Sequence, residues 1–115
     1  MEELNLKDLS PYLTQIAILE KTAAQIQKDF GDYPIVFTGN TNTAYDELFS
    51  QVYPIINFMW EKQQQNLWNI LYQIDLDEKK VLHTLYSADE PLKVLTDMIL
   101  KRELKKVLIR LYYSK

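Results

Sequence analysis

The first clear pattern in the chain lies between Ser10 and Gly31. Apolar residues fall at Tyr12, Ile16, Leu19, Ala23, Ile26 and Phe30, separated by steps of 4, 3, 4, 3 and 4. Residues three and four apart share a helix face, so all six lie on one narrow stripe. Ser10 and Pro11 predict the start, because Ser can cap free N–H groups and Pro fits where no N–H partner exists. Gly31 predicts the stop through a left-handed cap. Such a stripe implies a helix packed lengthwise on other helices.

Residues 31–42, GDYPIVFTGNTN, lose the period. Tyr33 precedes Pro34 and is pushed towards an extended conformation. Thr38 to Asn42 is turn chemistry. A lone extended piece with no pairing partner reads as a loop that pins its apolar residues over the bundle. A second helix is expected from Asn42 or Thr43, where Thr43 and Asp46 are spaced as a capping box. Its inner stripe is Tyr45, Leu48, Phe49, Val52, Ile56 and Met59, resuming at Ile70 and Ile74. Pro54 lies opposite that stripe, which predicts a kink rather than a stop. The polar stretch EKQQQN at 61–66 contains neither Gly nor Pro, so the helix is expected to continue through it. In that register Tyr53, Phe58, Trp68 and Tyr72 fall off the inner face. Either the register changes and they are core, or they form an exposed aromatic patch of the kind that marks interfaces.

Asp75 and Glu78 predict the cap and box of a short third helix, with Val81, Leu82 and Leu85 inside. The stretch SADEP at 87–91 then opens a final helix running to about Tyr113. The expected fold is all-α: a four-helix bundle-like single domain over residues 1–115, with one irregular loop at about residues 31–42. A length of 115 residues leaves little room for a second domain.

Charge changes this picture at one place. Residues 1–92 hold six lysines and fourteen acids, a formal −8, whereas residues 93–115 hold seven cations and two acids, a formal +5. On a helical wheel the final helix shows two apolar faces in series. Leu92, Val94, Leu95, Met98 and Ile99 cluster on one side; Leu100, Leu104, Val107, Leu108 and Leu111 cluster nearly opposite. Lys101, Arg102, Lys105, Lys106 and Arg110 fill the arc facing the second cluster. The helix must therefore bend or meet different neighbours along its length, and one neighbour could be a second copy of the chain. The basic arc has four readings: a solvated face, pairing with the acidic remainder, contact with nucleic acid assisted by Tyr112 and Tyr113, or a membrane surface.

Candidate chemistry is sparse. There is no cysteine, hence no disulfide, thiolate metal site or Cys nucleophile. The single histidine, His83, follows Glu78 by five residues and does not share a metal-binding face with it. The acids Asp46/Glu47 and Asp75/Asp77/Glu78 sit at predicted helix starts, where capping already explains them. Thr38-Gly39-Asn40 lacks the following Lys of a phosphate loop. No residue set nominates a reaction or a cofactor. The acidic N-terminus has no long apolar run, and no stretch approaches the ~20 apolar residues that span a bilayer. A cytoplasmic location without a membrane span is expected.

The sequence thus points to a non-enzymatic helical protein that mediates protein–protein association, self-association included. The aromatics Tyr53, Phe58, Trp68 and Tyr72 are its candidate interface. The alternative is a nucleic-acid-binding accessory protein that uses Lys101, Arg102, Lys105, Lys106 and Arg110. A third possibility is a bundle that holds an apolar small ligand between its helices.

Overall fold

The computed structural model describes Leu4 and residues 6–31, 33–39 and 44–113. Among these residues a 3-10 turn at Ser10–Tyr12 precedes five α-helices: α1 (Ile16–Phe30), α2 (Ala44–Lys62), α3 (Gln64–Gln73), α4 (Glu78–Ser87) and α5 (Pro91–Tyr113). No strand occurs among the described residues. The all-α, bundle-like fold read from the periodicity is therefore the fold observed. The number of helices is not, because the second predicted helix divides.

The α1 stripe is buried as its spacing requires, with Leu19, Ala23, Ile26 and Phe30 all in the core. Its start differs from expectation. Ser10 caps no α-helix; Asp8 Oδ1 accepts the Ser10 N–H at 3.0 Å, and the chain makes a 3-10 turn before α1 begins at Ile16. Gly31 ends α1 as predicted, at φ 68°, with its N–H bonded to the Gln27 carbonyl.

The irregular segment 33–39 has no strand partner, so its backbone groups need other ones. Side chains from both flanking helices supply them. Gln27 of α1 accepts from the Ile35 N–H. Gln51 of α2 accepts from Val36 N–H and donates back to its carbonyl, as a neighbouring strand would. Glu47 accepts from the Thr38 N–H and hydroxyl. Tyr33, Ile35 and Phe37 face the core while Val36 faces out. The expected strap over the bundle is what forms.

The predicted start at Asn42 or Thr43 lies outside the described residues. The α2 stripe Leu48, Val52, Ile56 and Met59 is buried, and the helix runs through Pro54, which faces solvent. The expected continuation through 61–66 is overturned. Gln63 takes φ −142° and ψ 50°, and α3 starts afresh at Gln64. The break re-aims α3: Leu67 and Leu71 join the expected Ile70 in the core, and Trp68 packs half-buried against it.

α3 ends in a Schellman turn. The Leu76 N–H reaches the Leu71 carbonyl and the Asp75 N–H reaches that of Tyr72, both at 3.0 Å. Asp75 holds the left-handed position at φ 64°, which Asp tolerates better than most residues. The cap of α4 is consequently Asp77, whose side chain accepts from the Lys79 N–H, and not Asp75.

Both apolar faces of α5 are covered within one chain. Towards its start α5 meets α2 through a Tyr45–Asp97 hydrogen bond and α4 through Thr84 and Met98. Further along it meets α1 through Lys106 and Asp29. Leu104 and Leu108 are sealed by the segment before α1, with Leu9 buried on them and Leu4, Leu6, Tyr12 and Leu13 packed around. Of the ten apolar positions on the two faces, Val94 alone stays exposed, at 41%. A second copy is not needed to bury the second face.

Candidate functional site

The five cations of the basic arc are not equivalent. Lys101 pairs with Asp97 one turn earlier at 3.0 Å. Arg102 reaches across to the end of α3: Nε donates to the Ile74 carbonyl at 2.9 Å, and Nη2 lies 3.5 Å from Asp75. Lys106 turns inward and donates to Asp29 Oδ2 at 3.0 Å. Lys105 and Arg110 form no ion pair among the described residues; Lys105 borders the N-terminal segment and Arg110 lies over α1. Three of the five therefore serve the chain itself, the pairing that was one of the readings of the arc.

The four aromatics do not come together either. Tyr53 stacks on Phe49 at 5.8 Å between centroids, and Lys93 lies 5.9 Å over its ring. Phe58 meets Tyr33 edge-on at 6.5 Å. Trp68 and Tyr72 share a third location, a groove of about 270 Å³ between α3 and α4, with Leu71, Leu76 and Val81 beside them. Trp68 is half-buried against the core, but Tyr72 is 88% exposed at the rim. The changed register past Gln63 accounts for Trp68, whereas Tyr72 remains outside.

Burial also reveals a cluster that the sequence did not single out. Glu103 of α5 is fully buried, and neither carboxylate oxygen has a hydrogen-bond partner while the group is ionised. Asp29 of α1 lies within bonding reach of it, and Lys106 Nζ is 3.4 Å away. Gln25 and Gln73 donate to Asp29 from α1 and α3 at 3.0 and 3.4 Å. One ammonium cannot offset two carboxylates taken out of water, and it sits closer to Asp29. A proton held by Glu103 resolves the conflict, because the protonated acid donates to Asp29. Burial, then the adjacent Asp29 carboxyl, push Glu103 up to about 8, with Lys106 opposing. Burial alone would raise Asp29, but hydrogen bonds from Glu103, Gln25 and Lys106 outweigh it and hold Asp29 below the usual carboxylate range. Glu103 lies four residues after Ile99 and four before Val107, both buried; that spacing was the available signal.

The remaining candidates stay local. His83 is exposed, with Ser87 Oγ at 3.5 Å. Among the described residues no group of three or more His, Cys, Asp or Glu side chains is arranged to hold a metal ion, and no helix is long and apolar enough to cross a membrane. Compared with protein-family models, with curated proteins and with solved structures, the chain matches none.

Proposed function

We propose that this chain is a non-enzymatic helical protein that works by protein–protein association, self-association included, through the α3–α4 groove. The observation that carries the reading is Tyr72: a large aromatic left 88% exposed beside an open groove with an apolar floor. Tyr and Trp suit such surfaces because an apolar ring and a polar tip tolerate both wet and buried states. Tyr86 of α4, 86% exposed, adds to the apolar surface available on these two helices. The serial faces of α5 lend no support, since the chain covers them itself. A cytoplasmic setting belongs to the same reading, as a chain without cysteine loses nothing in a reducing compartment.

The nucleic-acid alternative has less to draw on, because Lys101, Arg102 and Lys106 are already engaged. Sedimentation velocity across a concentration series tests the proposal. The average mass should rise with concentration, and Tyr72→Ser should weaken the association about tenfold or more, as truncation of an anchoring aromatic does. A clean monomer up to high micromolar concentration removes self-association through this surface.

A further inference from the structure

A second groove, of about 280 Å³, lies between α1 and α5. Its floor is apolar, formed by Ala24, Val107 and Leu111. Its rim is basic: Lys21 and Lys28 come from α1 and Arg110 from α5. All three cations are exposed, and none forms an ion pair among the described residues. Lys93, Lys101, Arg102 and Lys106 each have an acid beside them, whereas these three, drawn from two helices, border one groove with no acid paired to them. The buried wall offers them no counter-charge. Gln25 is committed to Asp29, and Asp29 to Lys106. Lys21 and Lys28 are two helical turns apart on one face, about 10.5 Å along the axis. Two carboxylates seven residues apart on another helix have that same spacing.

We propose that this groove docks an acidic helical segment of a partner protein. Carboxylates at i and i+7 meet Lys21 and Lys28, a third meets the Arg110 fork, and apolar side chains between them rest on Ala24, Val107 and Leu111. Small Ala24 allows the close approach of a second helix. The floor favours a peptide over a nucleic acid, because it is aliphatic and no aromatic ring lines it for base stacking. The charge of the whole chain favours a short acidic segment too: fourteen acids in residues 1–92 repel a long polyanion. This surface is separate from the α3–α4 groove, and its assignment stands or falls without it.

The probe is a fluorescein-labelled amphipathic peptide of Glu, Ala and Leu, with Glu at i and i+7 and Leu between them on the same face. Anisotropy should rise saturably at low salt and fall back as salt increases. The triple variant Lys21→Glu, Lys28→Glu, Arg110→Glu should weaken binding about tenfold or more, the sum of three exposed pairs. All three positions are exposed, and a circular-dichroism melt confirms that the variant folds. Amide shifts of labelled wild-type protein on peptide addition should localise to α1 around residues 21–28 and α5 around 107–111. No saturable binding overturns the proposal, as does equal binding of a Gln-for-Glu peptide or of the charge-reversed variant. A single-stranded DNA oligonucleotide that binds more tightly and displaces the peptide overturns it in favour of a polyanion. Self-association that the triple variant abolishes overturns it in favour of a second copy.

Discussion

Glu103 shows how one residue ties α5 to α1. Its raised value, about 8, compares with an ordinary carboxylate near 4.5 in the unfolded chain. Between those limits the folded state keeps a proton that the unfolded state releases. Stability therefore falls as pH rises through this window, at up to about 1.4 kcal/mol per pH unit. Asp29 works in the opposite sense at lower pH: its depressed value adds stability above the ordinary carboxylate range, lost as pH falls through the folded value. Glu103→Gln separates the two. The amide still donates to Asp29 but has no proton to lose. Urea denaturation should find the variant more stable than wild type by about 1–3 kcal/mol near neutral pH, and similar to it near pH 5. A wild-type stability that does not decline between pH 5 and 8 would show that Glu103 is ionised in the fold. The pair could not be read from the sequence, since Asp29 and Glu103 are brought together only by the packing of α1 on α5. Glu103 itself could be noticed as one of two acids in a basic stretch, spaced four residues from Ile99 and from Val107.

Among the elements, what was legible depended on whether the deciding contact was local. The α1 stripe from Ile16 onward rests on residues three or four apart, and the Gly31 stop and the Pro91 start each rest on the residue itself; all three appear where predicted. The Lys101–Asp97 pair is equally local. The break at Gln63 is not. Its side chain accepts from the Tyr33 hydroxyl at 3.1 Å, a contact thirty residues away in sequence, and no Gly or Pro announces it. The α3–α4 turn is a second case. No glycine is available for the left-handed position, so Asp75 takes it, and the cap moves on to Asp77. Arg102 secures that turn from outside by bonding the buried Ile74 carbonyl. Arg102→Ala should therefore cost about 1.5–3 kcal/mol, as for a lost hydrogen bond to a charged group. Lys at this position should not restore it, because a single ammonium lacks the fork. Lys101→Ala should change stability by less than about 1 kcal/mol, as for an exposed pair. Equal losses in the two alanine variants, measured by thermal or urea unfolding, would contradict the capping role.

At the scale of the molecule, the two faces of α5 raise a question of coverage that the chain answers with its own N-terminal segment. Leu9 is buried on Leu104 and Leu108, and Leu4, Leu6, Tyr12 and Leu13 pack around them. A 23-residue helix that is apolar on opposite sides in succession cannot be buried by a flat layer of helices. It needs neighbours that wrap, and here α2 and α4 meet its first half while α1 and the segment before α1 share its second. Removal of residues 1–9 takes away Leu4, Leu6 and Leu9 without touching α1. Burying one such leucine is worth about 1.5–3 kcal/mol, so the truncated chain should lose several kcal/mol and leave Leu104 and Leu108 open to water. An open apolar strip on a folded bundle finds another like it. The truncated chain should therefore melt lower, bind more of an apolar dye, and associate with concentration in sedimentation experiments. Tyr72→Ser should not reverse that association, because the surface involved is different. A truncated chain with the full-length melting temperature and mass would mean that the N-terminal leucines do not seal the second face of α5.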